Sequence, residues 1–321
     1  MLVLSSLLAL TLSFVLTPAV IGFSWCIGAV DIPCDGRRMH CQSIPRAGGI
    51  AIFSAFAVAL AAGGRLTHEQ VVILCGGGLM LLVGLADDVF CLGAWTKLFF
   101  QIAAALACVT ALGAESPTDV ARGVFWVVTL TNAHNFIDGL DGLFAGCAAI
   151  EGAAVFLVFA IDGRLALGAP ALCLGAACLG FRAFNRYPAD IFAGDCGSAT
   201  TGFLLGLLTL PLFEGVQKSS AWLCPLFLFA YPLTDLAVAV LRRTLRGKSP
   251  FCADRGHLHH RICDAGLMQP QCVGALMLIT AGASTVAVLL RTERFLFPAS
   301  LAAAALAFLL MRIRGFIEEF R

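Results

Sequence analysis

The chain has 321 residues, 60% of them hydrophobic and 13% charged, where a soluble domain carries about 25% charged residues. That shortfall excludes an ordinary soluble domain and indicates a polytopic membrane protein. The net charge is +1 with no basic stripe, so the composition gives no sign of a nucleic-acid or acidic partner.

Residues 1–30 are apolar, and the first charge is Asp31. This stretch lacks the basic start and small-residue cleavage site of a secretory leader, and it is read as a retained membrane helix. A bilayer core needs about 20 apolar residues per helix. By that ruler the chain holds eleven runs, at 2–24, 48–63, 70–86, 95–112, 122–136, 142–160, 165–181, 199–213, 221–240, 272–290 and 295–311. The eighth is short and fits a tilted or partly re-entrant helix. No repeat or low-complexity linker divides the chain. The expectation is one all-α transmembrane domain over residues 1–321, with about eleven spanning helices.

Eleven spans place the termini on opposite sides. One set of connections, including Lys97 at a helix mouth and the tail from 312, holds fifteen of the 21 Lys and Arg residues, and the other set holds six. The positive-inside rule then puts the N-terminus outside and the C-terminus in the cytoplasm. None of the 14 cysteines falls in an outside loop and no CxxC pair occurs, so they read as reduced packing residues.

The connections on the inner side carry every unusual polar cluster. RRMHCQSIPRAGG (37–49) brings Arg37, Arg38, His40 and Arg46, and arginine suits bidentate phosphate binding. LADDVF (85–90) ends a helix on Asp87 and Asp88. Adjacent carboxylates repel, and a helix C-terminus disfavours anions, so the pair calls for a cation, with Lys97 the nearest. In NAHNFIDGLDG (132–142), Asn132, Asn135 and Asp138 are spaced by three and share one face if the helix continues. Gly139 and Gly142 then let the chain leave it. His134 points off that face, with a structural role as open as a functional one. FAGDCGSATTG places Asp195 in a Gly-rich turn before a helix, where free amides favour phosphate and a carboxylate suits Mg2+. DRGHLHH (254–260) gathers His257, His259 and His260 beside Arg255 and Arg261. No Cys or Glu stands there at ligand spacing, so phosphate contacts fit better than metal ligation. Ionisable residues near a bilayer are costly and usually functional, and five clusters on one face predict one composite site.

In this order the clusters DD, NxxNxxDGxDG, GDxGS and HxHH resemble the polyprenyl-phosphate N-acetylhexosamine-1-phosphate transferases of glycosyltransferase family 4. The resemblance runs from RRMHCQSIPRAGGIAI to DRGHLHHRICDAG. It implies transfer of a sugar-1-phosphate from a UDP-sugar to undecaprenyl phosphate, with UMP released, on the cytoplasmic face of a bacterial inner membrane. It implies catalytic roles for Asp87, Asp88, Lys97, His257, His259 and His260, with Asp87 as base or phosphate-positioning group. Asp195 would bind Mg2+, with Mn2+ as an alternative. Arg46, Asn132, Asn135, Asp138, Asp141 and Arg255 would contact substrate, and Phe192 would stack on uracil. The resemblance also allows a homodimer. The first loop carries Arg and no Lys, which favours the UDP-GlcNAc branch over the branch that takes UDP-MurNAc-pentapeptide. A UbiA-type prenyltransferase would leave HLHH unexplained. A transporter would need ionisable residues at mid-membrane and a repeat, whereas Glu151 and Asp235 are the only such residues and no repeat is present.

Overall fold

The computed structural model describes residues 2–32, 42–213, 223–249, 258, 262–263 and 266–292. It is helical throughout, apart from a two-residue antiparallel ladder of β1 (Val30–Asp31) and β2 (Ile44–Pro45). The helices are α1 (Leu2–Ile27), α2 (Gly49–Ala62), α3 (His68–Phe90), α4 (Ala94–Ala111), α5 (Pro117–Phe136), α6 (Leu143–Ile161), α7 (Leu165–Asn185), α8 (Asp195–Leu208), α9 (Leu223–Leu228), α10 (Ala230–Leu245) and α11 (Gln269–Arg291). A 3-10 turn, Leu210–Phe213, extends α8.

Ten of the expected apolar runs fall on these helices, and the eleventh, 295–311, lies outside the described residues. Among the described residues, seven helices are long and apolar enough to cross a membrane: α1, α3, α4, α6, α7, α8 with its 3-10 extension, and α11. α2 has only 14 residues. α5 has 20 residues, but it carries Asp119 and Arg122 at one end and Asn132, His134 and Asn135 at the other. The ninth run is broken between α9 and α10, near Pro225 and Pro232.

Local chemistry sets the helix ends. Thr67 caps α3 in a reciprocal box with Gln70. α5 begins earlier than its apolar run. Ser116 accepts from the Asp119 amide at 3.0 Å and Pro117 occupies the first turn, so capping extends the helix into polar sequence.

α8 is the central element, with every residue from Cys196 to Leu208 buried. It packs against α3, α5 and α2. Elsewhere α6 packs on α7, and α7 on α1. Small residues permit this close packing. A Cβ on Gly152 of α6 would lie 2.9 Å from the Cα of Gly175 on α7. Short connections make α3 to α8 run alternately up and down. The C-terminal ends of α3, α5 and α7 therefore meet the N-terminal ends of α4, α6 and α8 at one end of the bundle. Near the opposite end Arg291 of α11 holds Asp162, at the end of α6, through both guanidinium and both carboxylate positions, at 2.7–3.0 Å.

Candidate active site

The described polar clusters converge at that one end. Asp87 and Asp88 lie in the last turn of α3, Lys97 in the first turn of α4 and Asp195 at the first position of α8. The Lys97 Nζ donates to Asp87 Oδ2 at 3.0 Å and to Asp195 Oδ2 at 2.7 Å. The cation that the adjacent carboxylates called for is therefore Lys97, and it is shared with a carboxylate 98 positions away in sequence.

Asp88 faces elsewhere, because successive helical residues point about 100° apart. Its Oδ1 accepts from the Asp195 amide and its Oδ2 from the Cys196 amide, each at 3.0 Å. Arg46, just past β2, reaches Asp88 Oδ1 at 2.7 Å and Asp195 Oδ1 at 3.7 Å. Burial works against the Arg46 charge, but Asp88 and Asp195 outweigh it and raise its pKa above the usual arginine value. Only glycines permit this approach. Gly194 has φ +71° and a Cβ there would meet Asp88 Oδ2 at 2.5 Å, while a Cβ on Gly84 would meet the Cys196 backbone at the same distance.

This arrangement corrects one expectation. The start of α8 does not offer its first amides to a phosphate, because Asp88 takes those of Asp195 and Cys196. The Gly197 and Ser198 amides bond to the Gly194 carbonyl. The Ser198 hydroxyl also donates to that carbonyl at 2.9 Å and accepts from Asn135 Nδ2 at 3.1 Å.

The shared face of Asn132, Asn135 and Asp138 needs a second correction. α5 ends at Phe136, so Asp138 sits in the following loop, not one turn further along the helix. Asn132 Nδ2 donates to Gln101 Oε1 of α4 at 2.7 Å, and Asn135 faces α8. Asp141 Oδ2 accepts from the Ala189 amide at 3.0 Å, which ties the α5–α6 loop to the loop before α8. Buried Asn185 makes the same tie, accepting from Gly142 N at 3.1 Å and donating to Ile191 O at 2.9 Å. Phe192 exchanges backbone hydrogen bonds with Pro45 and Gly48, which docks its loop on β2 and the start of α2. Arg255, His257, His259 and His260 lie outside the described residues, as do Arg37, Arg38 and His40. Leu258, within HLHH, is anchored: its amide donates to buried Asp235 Oδ1 at 2.7 Å. His134 is fully buried against Glu151 and Phe229.

Sequence reasoning missed Gln101, Asn185 and Arg182. Gln101 stands four residues after Lys97, hence on the same helix face. Asn185 is a lone amide closing an apolar run. Arg182 donates to the Gly142 carbonyl at 3.1 Å, placing a cation beside the DGLDG loop.

The donor set fits Mg2+. Asp87 and Asp195 each have an oxygen within 3.0 Å of the Lys97 ammonium, which fills the point the two carboxylates share. Among the described residues no three His, Cys, Asp or Glu side chains gather at ligand spacing. Mg2+ needs only one or two carboxylates plus water and substrate phosphate.

Asp138 lies outside the spanning helices. Burial, and then the Asp195 and Asp88 carboxylates, push its carboxyl up to about 8. The sign follows from its ordinary value of 3.8. The folded state disfavours the ionised form, so stability falls as pH rises from about 4 to about 8 and levels off beyond, by at most ~1.4 kcal/mol per unit. Asp138→Asn in metal-free buffer is expected to remove that slope and to melt above wild type at pH 8. Equal slopes in the two proteins would contradict this.

The sequence model of glycosyl transferase family 4 matches residues 70–212. The chain is 31% identical to a Bacillus subtilis protein named "Probable undecaprenyl-phosphate N-acetylglucosaminyl 1-phosphate transferase", over 90% of this chain and 85% of that one. It is 31% identical to the undecaprenyl-phosphate alpha-N-acetylglucosaminyl 1-phosphate transferase of Yersinia pestis, over 92% and 88% of the two chains. It is 32% identical to the decaprenyl-phosphate N-acetylglucosaminephosphotransferase of Mycolicibacterium smegmatis, over 74% and 70%.

Proposed function

The chain belongs to glycosyl transferase family 4, and from that premise we propose that it transfers GlcNAc-1-phosphate from UDP-GlcNAc to undecaprenyl phosphate and releases UMP. The observation that carries the reading is Lys97 held between Asp87 and Asp195 at the mouths of apolar helices. A lipid phosphate stays at the membrane surface while a nucleotide sugar arrives from water. Their meeting point must therefore be a polar cluster at the ends of spanning helices.

In the reaction, a lipid phosphate oxygen attacks the β-phosphorus of the donor. The bond from that phosphorus to the bridging oxygen breaks, and UMP leaves with the oxygen. With the lipid phosphate as dianion, the charges of reactants and products balance and no net proton is moved. Direct attack is favoured over a carboxylate nucleophile at Asp87, because a phosphate monoester is already anionic and needs little activation. Asp87 serves to orient the acceptor phosphate, and Lys97 supplies it with a fixed cation. Asp195 would hold Mg2+, which would supply the charge neutralisation of the diphosphate that phosphoryl transfer generally requires. Asn135, Asp138 and Asp141 line the nucleotide and sugar side, and Phe192 stacks on uracil. Arg255 would contact substrate, and His257, His259 and His260 would contact the pyrophosphate region or the sugar.

With eleven spans, the charge asymmetry of the connections supports a site on the cytoplasmic face. The activity would open the membrane stage of an O-antigen, common-antigen, teichoic-acid or exopolysaccharide pathway. The test is UMP release from detergent-purified protein given undecaprenyl phosphate, Mg2+ and, in turn, UDP-GlcNAc, UDP-GalNAc and UDP-MurNAc-pentapeptide. Release with UDP-GlcNAc only, lost on adding EDTA or omitting the lipid, is expected. Release with the pentapeptide donor alone would move the chain to the peptidoglycan branch.

A further inference from the structure

We infer that the two adjacent aspartates divide the work: Asp88, paired with Arg46, is a positioning residue that caps α8 from another helix and aims Asp195, and it does not itself touch substrate. A helix start leaves its first amides without partners inside the helix, and its dipole favours a negative charge there. Usually the preceding residue supplies the cap. Here the preceding residue is Gly194, which has no side chain and so makes no side-chain cap hydrogen bond. Asp88, 107 residues earlier, takes that place with one oxygen on each of the first two amides.

The Asp88 side chain is fully buried, and Arg46 supplies the countercharge at 2.7 Å. Its two oxygens together accept from two amides and one guanidinium. Asp195 is the first residue of α8, so the amide that Asp88 holds belongs to the residue whose carboxylate meets Lys97. Shifting the cap shifts that carboxylate. Asp87 is turned the other way, toward Lys97 and Asp195.

This inference rests on the proposed reading for the role of Asp195, but not for the cap itself. The experiment therefore has two arms on full-length protein in detergent. Hydrogen exchange across residues 193–198 reads the cap without substrate or metal. UMP release reads the consequence. The variants are Asp88→Ala, Asp88→Asn, Asp88→Ser, Arg46→Gln and the double variant Asp88→Asn with Arg46→Gln.

Exchange at the Asp195 and Cys196 amides is expected to rise in Asp88→Ala and to be partly restored by Asn and Ser, which can still accept from one amide. kcat is expected to follow that order, falling on the order of 100-fold in Asp88→Ala, the scale of an ångström misplacement in an active site. KM for donor and lipid should stay within about twofold, since no substrate contact is lost. The double variant should lose less than the product of the two single losses, because the residues act as one pair.

Unchanged amide protection in Asp88→Ala would overturn the capping role, as would independent losses in the pair. Protected amides in the Asn and Ser variants, with activity as low as in Asp88→Ala, would place Asp88 on the substrate instead. If wild-type protein releases no UMP with any donor, the functional reading fails, while the exchange arm still decides the cap.

Discussion

Asp195→Asn is expected to abolish metal-dependent turnover, by on the order of 1000-fold or more, or about 4 kcal/mol of transition-state stabilisation. The substitution is nearly isosteric and keeps one hydrogen-bond acceptor, so Lys97 retains a neighbour on the α8 side. The lost property is charge. Lys97 and Arg46 both converge on Asp195, at 2.7 Å and 3.7 Å. Removing that one carboxylate leaves Lys97 paired with Asp87 and Arg46 paired with Asp88. Divalent cation binding then weakens, because Mg2+ is held by few protein carboxylates and each is a large share of its attraction. Two measurements separate this from misfolding. Mn2+ titration followed by electron paramagnetic resonance reads metal affinity without substrate, and UMP release at graded Mg2+ reads catalysis. Weak Mn2+ binding with an unchanged melting temperature is the expected pair. A mutant with wild-type turnover would remove Asp195 from the metal site.

Where the sequence was legible, a single physical rule sufficed. Apolar runs of bilayer length located α1, α3, α4, α6, α7 and α11, because length and hydropathy alone decide those segments. The start of α8 was set later than it is, at 199, because Asp195 and Cys196 count against an apolar run. Only a partner from α3 makes a helix start there. Lys97 as countercharge was legible because it stands ten residues from Asp87. The division of labour between Asp87 and Asp88 was not. Two neighbours in sequence diverge by the helical rotation, and which direction faces the site depends on α8, a hundred residues downstream. The expected free phosphate-binding amides failed for the same reason. A glycine-rich turn shows that amides are accessible, but not that another helix has already taken them.

The second large effect lies beneath the site. His134 and Glu151 are fully buried, one on α5 and one on α6, with His134 Nε2 at 2.7 Å from Glu151 Oε2. His134 Nδ1 lies 2.9 Å from the Leu130 carbonyl, which can only accept, so Nδ1 carries a hydrogen. The Nε2–Oε2 contact then holds one proton, attached to one side or the other. Among the described residues Glu151 Oε1 has no hydrogen-bond partner, so the pair has little reserve. His134→Ala leaves a buried carboxyl without its counterpart, and loss of one partner of such a pair destabilises by about 3–5 kcal/mol. A sharp fall in melting temperature in detergent is expected.

Glu151→Gln should be far milder, since the amide can donate to Nε2 and preserve the contact. A double change to leucine, His134→Leu with Glu151→Leu, should be more stable than His134→Ala, because apolar replacement removes both buried polar groups together. Asn135, which bonds Ser198 on α8, follows His134 directly, so the same strut fixes the end of α5 at the site. Turnover in Glu151→Gln should stay near wild type if the pair acts only by holding that end. A large loss of kcat in a fully folded Glu151→Gln protein would instead mean that the carboxyl itself takes part in the reaction. Small losses in His134→Leu and in Glu151→Leu that add up to that of the double leucine variant would mean that His134 and Glu151 do not act as a pair at all.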